Sequence, residues 1–316
     1  MQVANIVPHV WTSAFDVGSY RLALAHWVGR DASYPKEISK GKAGTRYLIL
    51  DNGAFEGEGV PDERLLQIAL QLRADEVVLP DVPKEPKETL KAAWAALKYF
   101  DEMCTMFVPH GTTLDLWKGC LDAWITRIQE RYGSLKLCTI GISPLRYVAG
   151  GYKHSHAMLE FASQFETQIH LLGMANAEHF VVEVLDQARE LHVRGMDTSY
   201  AFAAGYRGEL LTRYTPKYAL GNPLQYVNMR GNYRHIVSLN MEILKSWMVK
   251  SPSPLGVPLQ FLKEIATPWA TYSTLELDSP VNILRICGLQ GPFIHYQDHV
   301  RPRDDRFPGR GEVIYV

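Results

Sequence analysis

Along most of the chain, short apolar runs alternate with longer stretches in which apolar residues recur at helical spacing. Tyr47 to Leu50 (YLIL) reads as a buried strand, and Pro61 to Leu72 as a helix that opens on proline with acids in its first turn. Glu76 to Leu79 is the next strand and Pro86 to Phe100 the next helix; Thr105 to Val108 then precedes a helix over Leu114 to Arg131. Leu135 to Ile140 is followed by a helix over His156 to Phe165, and Gln168 to Leu172 by one over Ala177 to Leu191. A shorter strand ends near Met196, and Asn5 to Pro8 with the segment Tyr20 to Val28 makes a first unit. Unbroken apolar strands alternating with amphipathic helices predict parallel βα units joined by right-handed crossovers. Six or seven such units favour a (β/α)8 barrel, in the α/β class, over an open doubly wound sheet. The pattern changes after about Ser251, where SPSPLGVP and RPRDDRFPGRGE are rich in Pro and Gly. The expected division is a barrel domain over 1–251 and an extension over 252–316 packed on it.

Composition narrows the classes. The chain has 316 residues, 47% of them hydrophobic and 21% charged, which suits a large core and excludes a wholly disordered protein. Lys and Arg number 33 against 34 Asp and Glu, so no bulk charge draws the chain to nucleic acid or membrane. Its four cysteines (Cys104, Cys120, Cys138 and Cys287) are scattered, with no CxxC, as in reduced core positions. No leader-like start and no apolar run of membrane-spanning length is visible, so the expectation is a soluble cytoplasmic protein without a membrane partner.

In parallel α/β proteins the functional residues lie at the C-terminal ends of the strands. Those positions here carry Asp51-Asn52-Gly53-Ala54-Phe55, then Asp81, Pro109-His110-Gly111, Gly141-Ile142-Ser143, Gly173-Met174 and Asp197-Thr198-Ser199. From Asp51 to Asp81, His110, Gly141, Gly173 and Asp197 the steps are 30, 29, 31, 32 and 24 residues, one βα unit each. Three carboxylates are therefore expected on one rim, among small residues that leave room for a flat ligand. A pair of acids suits substitution at an anomeric carbon, one attacking and the other moving a proton. A third acid accepts hydrogen bonds from a guanine-like edge, and an aromatic such as Phe55 stacks on a base. Asp51 before Asn-Gly and Asp197 before Thr-Ser also fit ordinary turn and helix-cap acids. His154 and His156 form an HxH of the kind found in metal-dependent hydrolases, but they follow Gly150-Gly151 near a helix start.

Six segments in order resemble the tRNA-guanine transglycosylase superfamily. LDNGAF at 50–55 is similar to its LDSGGF/Y segment, VLPD at 78–81 to the segment with its guanine-recognising Asp, and FVPHG at 107–111 to its VQGG. IGIS at 140–143 resembles its GGL turn, HLLGM at 170–174 its LMGVG, and RGMDTSYA at 194–201 its GIDxFDCxxP segment. The resemblance covers roughly residues 47–200, about half of the chain. It implies Asp197 as nucleophile, Asp51 as general acid/base, Asp81 as reader of the base edge and Phe55 as its stacking partner. Asn52, Gly53, His110, Gly141, Ile142 and Gly173 would complete the base pocket. The family's zinc-binding CxCxxC is absent, and Cys287, His295 and His299 do not reproduce its spacing, so neither a metal nor another cofactor is expected. The recognition Gln is replaced by Pro109 or His110, and the second Gly of the first motif by Ala54. A zinc-less compact chain with DTS after the last strand looks more like the DpdA-type DNA transglycosylases, often phage-encoded, than the tRNA enzymes. The expected partners are DNA in preference to tRNA, and a free 7-deazaguanine such as 7-cyano-7-deazaguanine.

One further feature is independent of the motifs. Arg207, Arg213, Lys217, Arg230 and Arg234 lie close together in the sequence with Tyr214, Tyr218, Tyr226 and Tyr233 and a single acid, Glu209. Basic residues interleaved with aromatic ones are what a nucleic-acid groove needs; a solvated face with buried tyrosines is the alternative. A tRNA-directed transglycosylase, a glycosylase that only hydrolyses the bond, and a non-catalytic nucleic-acid-binding barrel remain as rival readings. The oligomeric state is open.

Overall fold

The computed structural model describes residues 2–5, 20–40, 47–54, 57–135, 137–143, 154–173, 180–209, 211 and 231–249. Eight parallel strands alternate with helices: β1 (Gln2–Asn5), β2 (Tyr20–Leu24), α1 (Ala25–Val28), α2 (Tyr34–Lys40), β3 (Tyr47–Asp51), α3 (Asp62–Leu72), β4 (Glu76–Val78) and α4 (Pro86–Leu97). There follow β5 (Cys104–Phe107), α5 (Leu114–Tyr132), β6 (Cys138–Ile142), α6 (Ser155–Ala162), β7 (Gln168–Leu171), α7 (Phe180–Glu190), β8 (Gly195–Thr198), α8 (Tyr200–Tyr206) and α9 (Gly231–Val249). The sheet runs in the order β1-β8-β7-β6-β5-β4-β3-β2, and every ladder is parallel. β1 and β2 lie side by side without a ladder between them among the described residues, so the sheet curls into a nearly closed (β/α)8 barrel. The expected α/β barrel is therefore the fold of this chain. The extension over 252–316 lies outside the described residues.

Period-two alternation sorts the strand residues into two apolar layers. Leu48 and Leu50 of β3, Cys138 and Ile140 of β6, and Met196 of β8 belong to the large cluster between sheet and helices. Tyr20, Ile49, Val78, Met106, Val108 and Leu172 form a separate cluster that fills the lumen. α5 shows how the outer layer is built: Thr113 caps its first turn through a bond from the Leu116 N–H, and Trp124 stacks on Phe107 with ring centroids 4.4 Å apart. α9 packs against α8. Gly205 is needed there, because a Cβ would lie 2.6 Å from the Val237 Cα, and the buried Asn240 bonds the carbonyls of Ala201 and Glu209 and the N–H of Leu211.

At the N-terminal end of the lumen sits a charged pair. Arg194 Nη1 lies 2.7 Å from Glu76 Oε2 and also bonds Gln168 Oε1 at 3.1 Å, while its guanidinium covers the Tyr47 ring at 5.5 Å. Glu76 is fully buried. Burial, then the carboxylate of Glu76 and the thiol of Cys104, push the Tyr47 phenol far above its usual range, so it stays protonated.

Three expectations change. Tyr20–Val28, read as one segment, is a strand followed by a short helix, and it supplies an additional βα unit; no Gly or Pro separates the two elements. β6 starts at Cys138 and runs on through Gly141 and Ile142, so these two residues lie within the strand and not in a turn after it. β3 and β8 likewise include Asp51 and Asp197. Removing the partner of a fully buried carboxylate is expected to be severe. Arg194→Met should destabilise the fold by about 3–5 kcal/mol in urea denaturation, and adding Glu76→Gln should recover part of that loss; a change below about 1 kcal/mol would show that the pair is not holding the lumen.

Candidate active site

Strand parity places two acids inside the barrel. Asp51 continues the inward series Tyr47, Ile49, and Asp197 follows Gly195, whose missing Cβ would come within 2.8 Å of the hydroxyl of the lumen residue Tyr20. Both acids lie at the C-terminal ends of their strands, and β2 and β1 stand between β3 and β8 on the shorter path around the barrel. Asp51 is partly exposed; Asp197 is 2% exposed.

Each oxygen of Asp197 has a partner. His170 Nε2 is 3.0 Å from Oδ1, and the Gly173 N–H donates to Oδ2 at 2.8 Å. Gly173 has φ of +57°, a left-handed conformation that glycine adopts without steric cost, and this turns its N–H back onto the end of β8. Below His170, the Tyr20 hydroxyl lies 3.5 Å from Nδ1 and donates to the Met196 carbonyl. The two rings meet edge to face with centroids 5.4 Å apart.

A second network joins the ends of β3, β4 and β5. The buried Asn52 donates to the Leu79 carbonyl at 2.7 Å and to Asp81 Oδ1 at 2.8 Å, and its own carbonyl accepts from the Ala54 N–H at 2.6 Å. Asp81 Oδ2 lies 2.6 Å from His110 Nε2, while His110 Nδ1 faces the Lys84 N–H at 3.4 Å. That backbone donor makes Nε2 the nitrogen that carries the proton toward Asp81. Asp51 Oδ1 accepts from the Gly53 N–H at 2.7 Å.

The expected pocket residues thus divide. Asp51, Asp81, Asp197 and Gly173 lie at the C-terminal rim, and Gly141 lines the lumen, where a Cβ would press on Met106 and Leu172. Asn52 and His110, expected to contact a base, have their polar atoms engaged in bracing Asp81. Gly53 gives its N–H to Asp51. Ile142 does not line the lumen: it shares the outward parity of Cys138 and Ile140 and packs in the layer beneath the helices, because a one-residue step along a strand reverses the face. Phe55 and Met174 lie outside the described residues, as do Arg213, Lys217 and Arg230. Arg207 and Arg234 are described, and both are exposed. Cys287, His295 and His299 also lie outside. Among the described residues, no group of three His, Cys, Asp or Glu side chains is placed to hold a metal ion, and no helix is long and apolar enough to cross a membrane.

Sequence reading missed three residues of this region. His170 appeared only as a letter of HLLGM, although the alternation Gln168, His170, Leu172 puts it inside. Tyr20 was read only as the start of the segment Tyr20 to Val28. His26, on α1 just past β2, packs against Gly53, where a Cβ would come within 2.7 Å of its Nδ1, and that buried nitrogen has no hydrogen-bond partner among the described residues. A cavity of about 440 Å³ lies at the other end of the barrel, lined by Tyr47, Cys104, Thr139 and Gln168. It is remote from the acids, on the face that serves stability in barrels of this kind. No protein-family model matches the chain, and no curated protein matches it.

The His26 environment has a pH signature. Burial first, and the Arg30 guanidinium second, hold the imidazole below its usual value of 6.5, against the opposing pull of Glu58. The unfolded chain therefore takes up this proton before the folded one, so this contribution to stability is present above pH 6.5 and declines as pH falls below it. The urea midpoint should drop less between about pH 7.5 and about pH 5.5 in His26→Gln than in the wild type; equal drops would contradict this assignment.

Proposed function

We propose that the protein is a base-exchange glycosyltransferase that replaces guanine in a nucleic acid, DNA in preference to tRNA, with a free 7-deazaguanine. The observation that carries this reading is the inward placement of Asp51 and Asp197 on the same rim of a parallel barrel, which offers two acids to one cavity mouth as double displacement at a sugar carbon needs. Asp197 attacks C1′ of a flipped-out guanine nucleotide as the C1′–N9 bond breaks, and Asp51 delivers a proton to the departing guanine. An ester then joins Asp197 to the sugar. The incoming base gives its N9 proton to Asp51 and attacks C1′, releasing the carboxylate. Two inversions retain the β configuration.

A carboxylate offers about four acceptor positions. Asp197 uses one on each oxygen for His170 and Gly173, which leaves lone pairs for the attack. Asp81, fixed by Asn52 and His110, is suited to accept from the guanine N–H and amino edge. Phe55 supplies the stacking face. The exposed Arg207 and Arg234, with Arg213, Lys217 and Arg230 between them in sequence, supply phosphate contacts. The ordered series of transglycosylase-like segments supports the same chemistry, and the missing zinc motif favours DNA.

Mass spectrometry of nucleosides from DNA and tRNA of cells expressing the chain, supplied with a 7-deazaguanine, tests the reading directly. Substituted deoxyguanosine is the expected product; substituted guanosine in tRNA alone would move the substrate to RNA, and neither would end the proposal. Asp197→Asn should reduce exchange by on the order of 10⁴-fold or more, and Asp51→Asn should be comparably severe. Arg207→Ala and Arg234→Ala should mainly weaken polymer affinity and flatten its salt dependence.

A further inference from the structure

Resting on that reading of Asp197, we propose that His170, braced by Tyr20, is the positioning residue that fixes the orientation of the attacking carboxylate. His170 is fully buried, in a lumen whose other side chains at that depth include Ile49, Met106 and Leu172. A buried carboxylate must find donors, and the Nε2 proton of a buried imidazole must find an acceptor. Here the two needs meet. A carboxylate has only acceptors, so the contact between His170 Nε2 and Asp197 Oδ1 requires the proton on Nε2. Nδ1 lies 3.5 Å from the Tyr20 oxygen as a packing contact, because the one hydroxyl proton of Tyr20 goes to the carbonyl of Met196, the residue before Asp197.

The connections form a closed loop. From the β8 backbone at Met196 they pass through Tyr20 of β2 and His170 of β7 and return to β8 at Asp197. Rotation of the imidazole about its side-chain bonds would break contacts at both nitrogens. Together with the Gly173 N–H on the other oxygen, this fixes the carboxylate plane before substrate arrives. An oriented nucleophile avoids the reorganisation that an unsupported Asp would undergo in each turnover. His170 touches no reacting atom, so its effect belongs in kcat and not in affinity for the polymer.

The test compares His170→Ala, His170→Gln and Tyr20→Phe in base-exchange kinetics, with a thermal melt of each variant. His170→Ala should lower kcat by on the order of 10²-fold while KM for the nucleic acid stays within about two-fold. His170→Gln, whose side-chain amide N–H still reaches toward Asp197, should recover roughly ten-fold of that loss. Tyr20→Phe should lower kcat by several-fold with unchanged KM. Where the Ala variant does not fold, the Gln and Phe variants carry the comparison. Wild-type kcat in both His170 variants, or a folded Gln variant as slow as the Ala variant, would overturn the proposal.

Long-range proton–nitrogen spectra of the imidazoles give a readout independent of turnover. The His170 signal, identified by its loss in His170→Gln, should show Nε2 protonated and should shift in Asp197→Asn. A proton on Nδ1 alone, or a signal indifferent to Asp197, would overturn the proposal even in an active enzyme. Absence of exchange on any polymer by wild-type protein, with the spectra as expected, would instead overturn the transglycosylase reading and leave the His170–Asp197 contact in place.

Discussion

A carboxylate removed from water must have hydrogen-bond donors, and the C-terminal half of the barrel is arranged around meeting that need at Asp197. Its two oxygens draw in His170 from β7 and the backbone of Gly173 just beyond β7, and His170 in turn engages Tyr20 of β2. β2, β7 and β8 are tied through side chains as well as through the sheet. At the opposite end of the lumen, Glu76 and Arg194 neutralise each other. Ile49, Val78, Met106 and Val108 fill the space between these polar tiers, separating the charged pair that supports the barrel from the acids that face its mouth.

The second acid site follows the same logic with different donors. Asp81 is clasped by Asn52 from the end of β3 and by His110 from the loop after β5. Each of these donors is itself fixed by backbone, Asn52 through Leu79 and Ala54 and His110 through Lys84. In the proposed reaction such an acid serves as a rigid acceptor for a planar base edge. Asp51, the last residue of β3, directly precedes Asn52, so the proposed reaction would couple base reading and proton transfer through one short segment, LDNG. His26 packs against Gly53 of that segment.

Much of this was legible in the sequence, for identifiable reasons. Runs such as YLIL and TMFV announce buried parallel strands, and regular steps of about one βα unit predict the acids on one rim. YRLAL was not recognised because it passes into AHWV without a turn residue, so strand and helix read as one segment. Strand ends were misjudged by one to three residues, which matters where faces alternate: it put Ile142 on the wrong side of β6. Most telling is His170. Motif reading attended to the glycine of HLLGM, whose N–H does reach Asp197, but passed over the side-chain donor, the histidine three residues earlier, which only the pairing of β7 with β8 brings to Asp197.

The transglycosylase chemistry requires a covalent bond between one particular carboxylate and a sugar. Peptide mass spectrometry after rapid acid quenching of the protein with a guanine-containing oligonucleotide, in the absence of an incoming base, looks for that bond. The expected result is a nucleotide adduct on the peptide carrying Asp197, one that disappears when a 7-deazaguanine is added. An adduct confined to Asp51, or base exchange that proceeds with every carboxylate unmodified, would contradict the assignment of Asp197 as nucleophile.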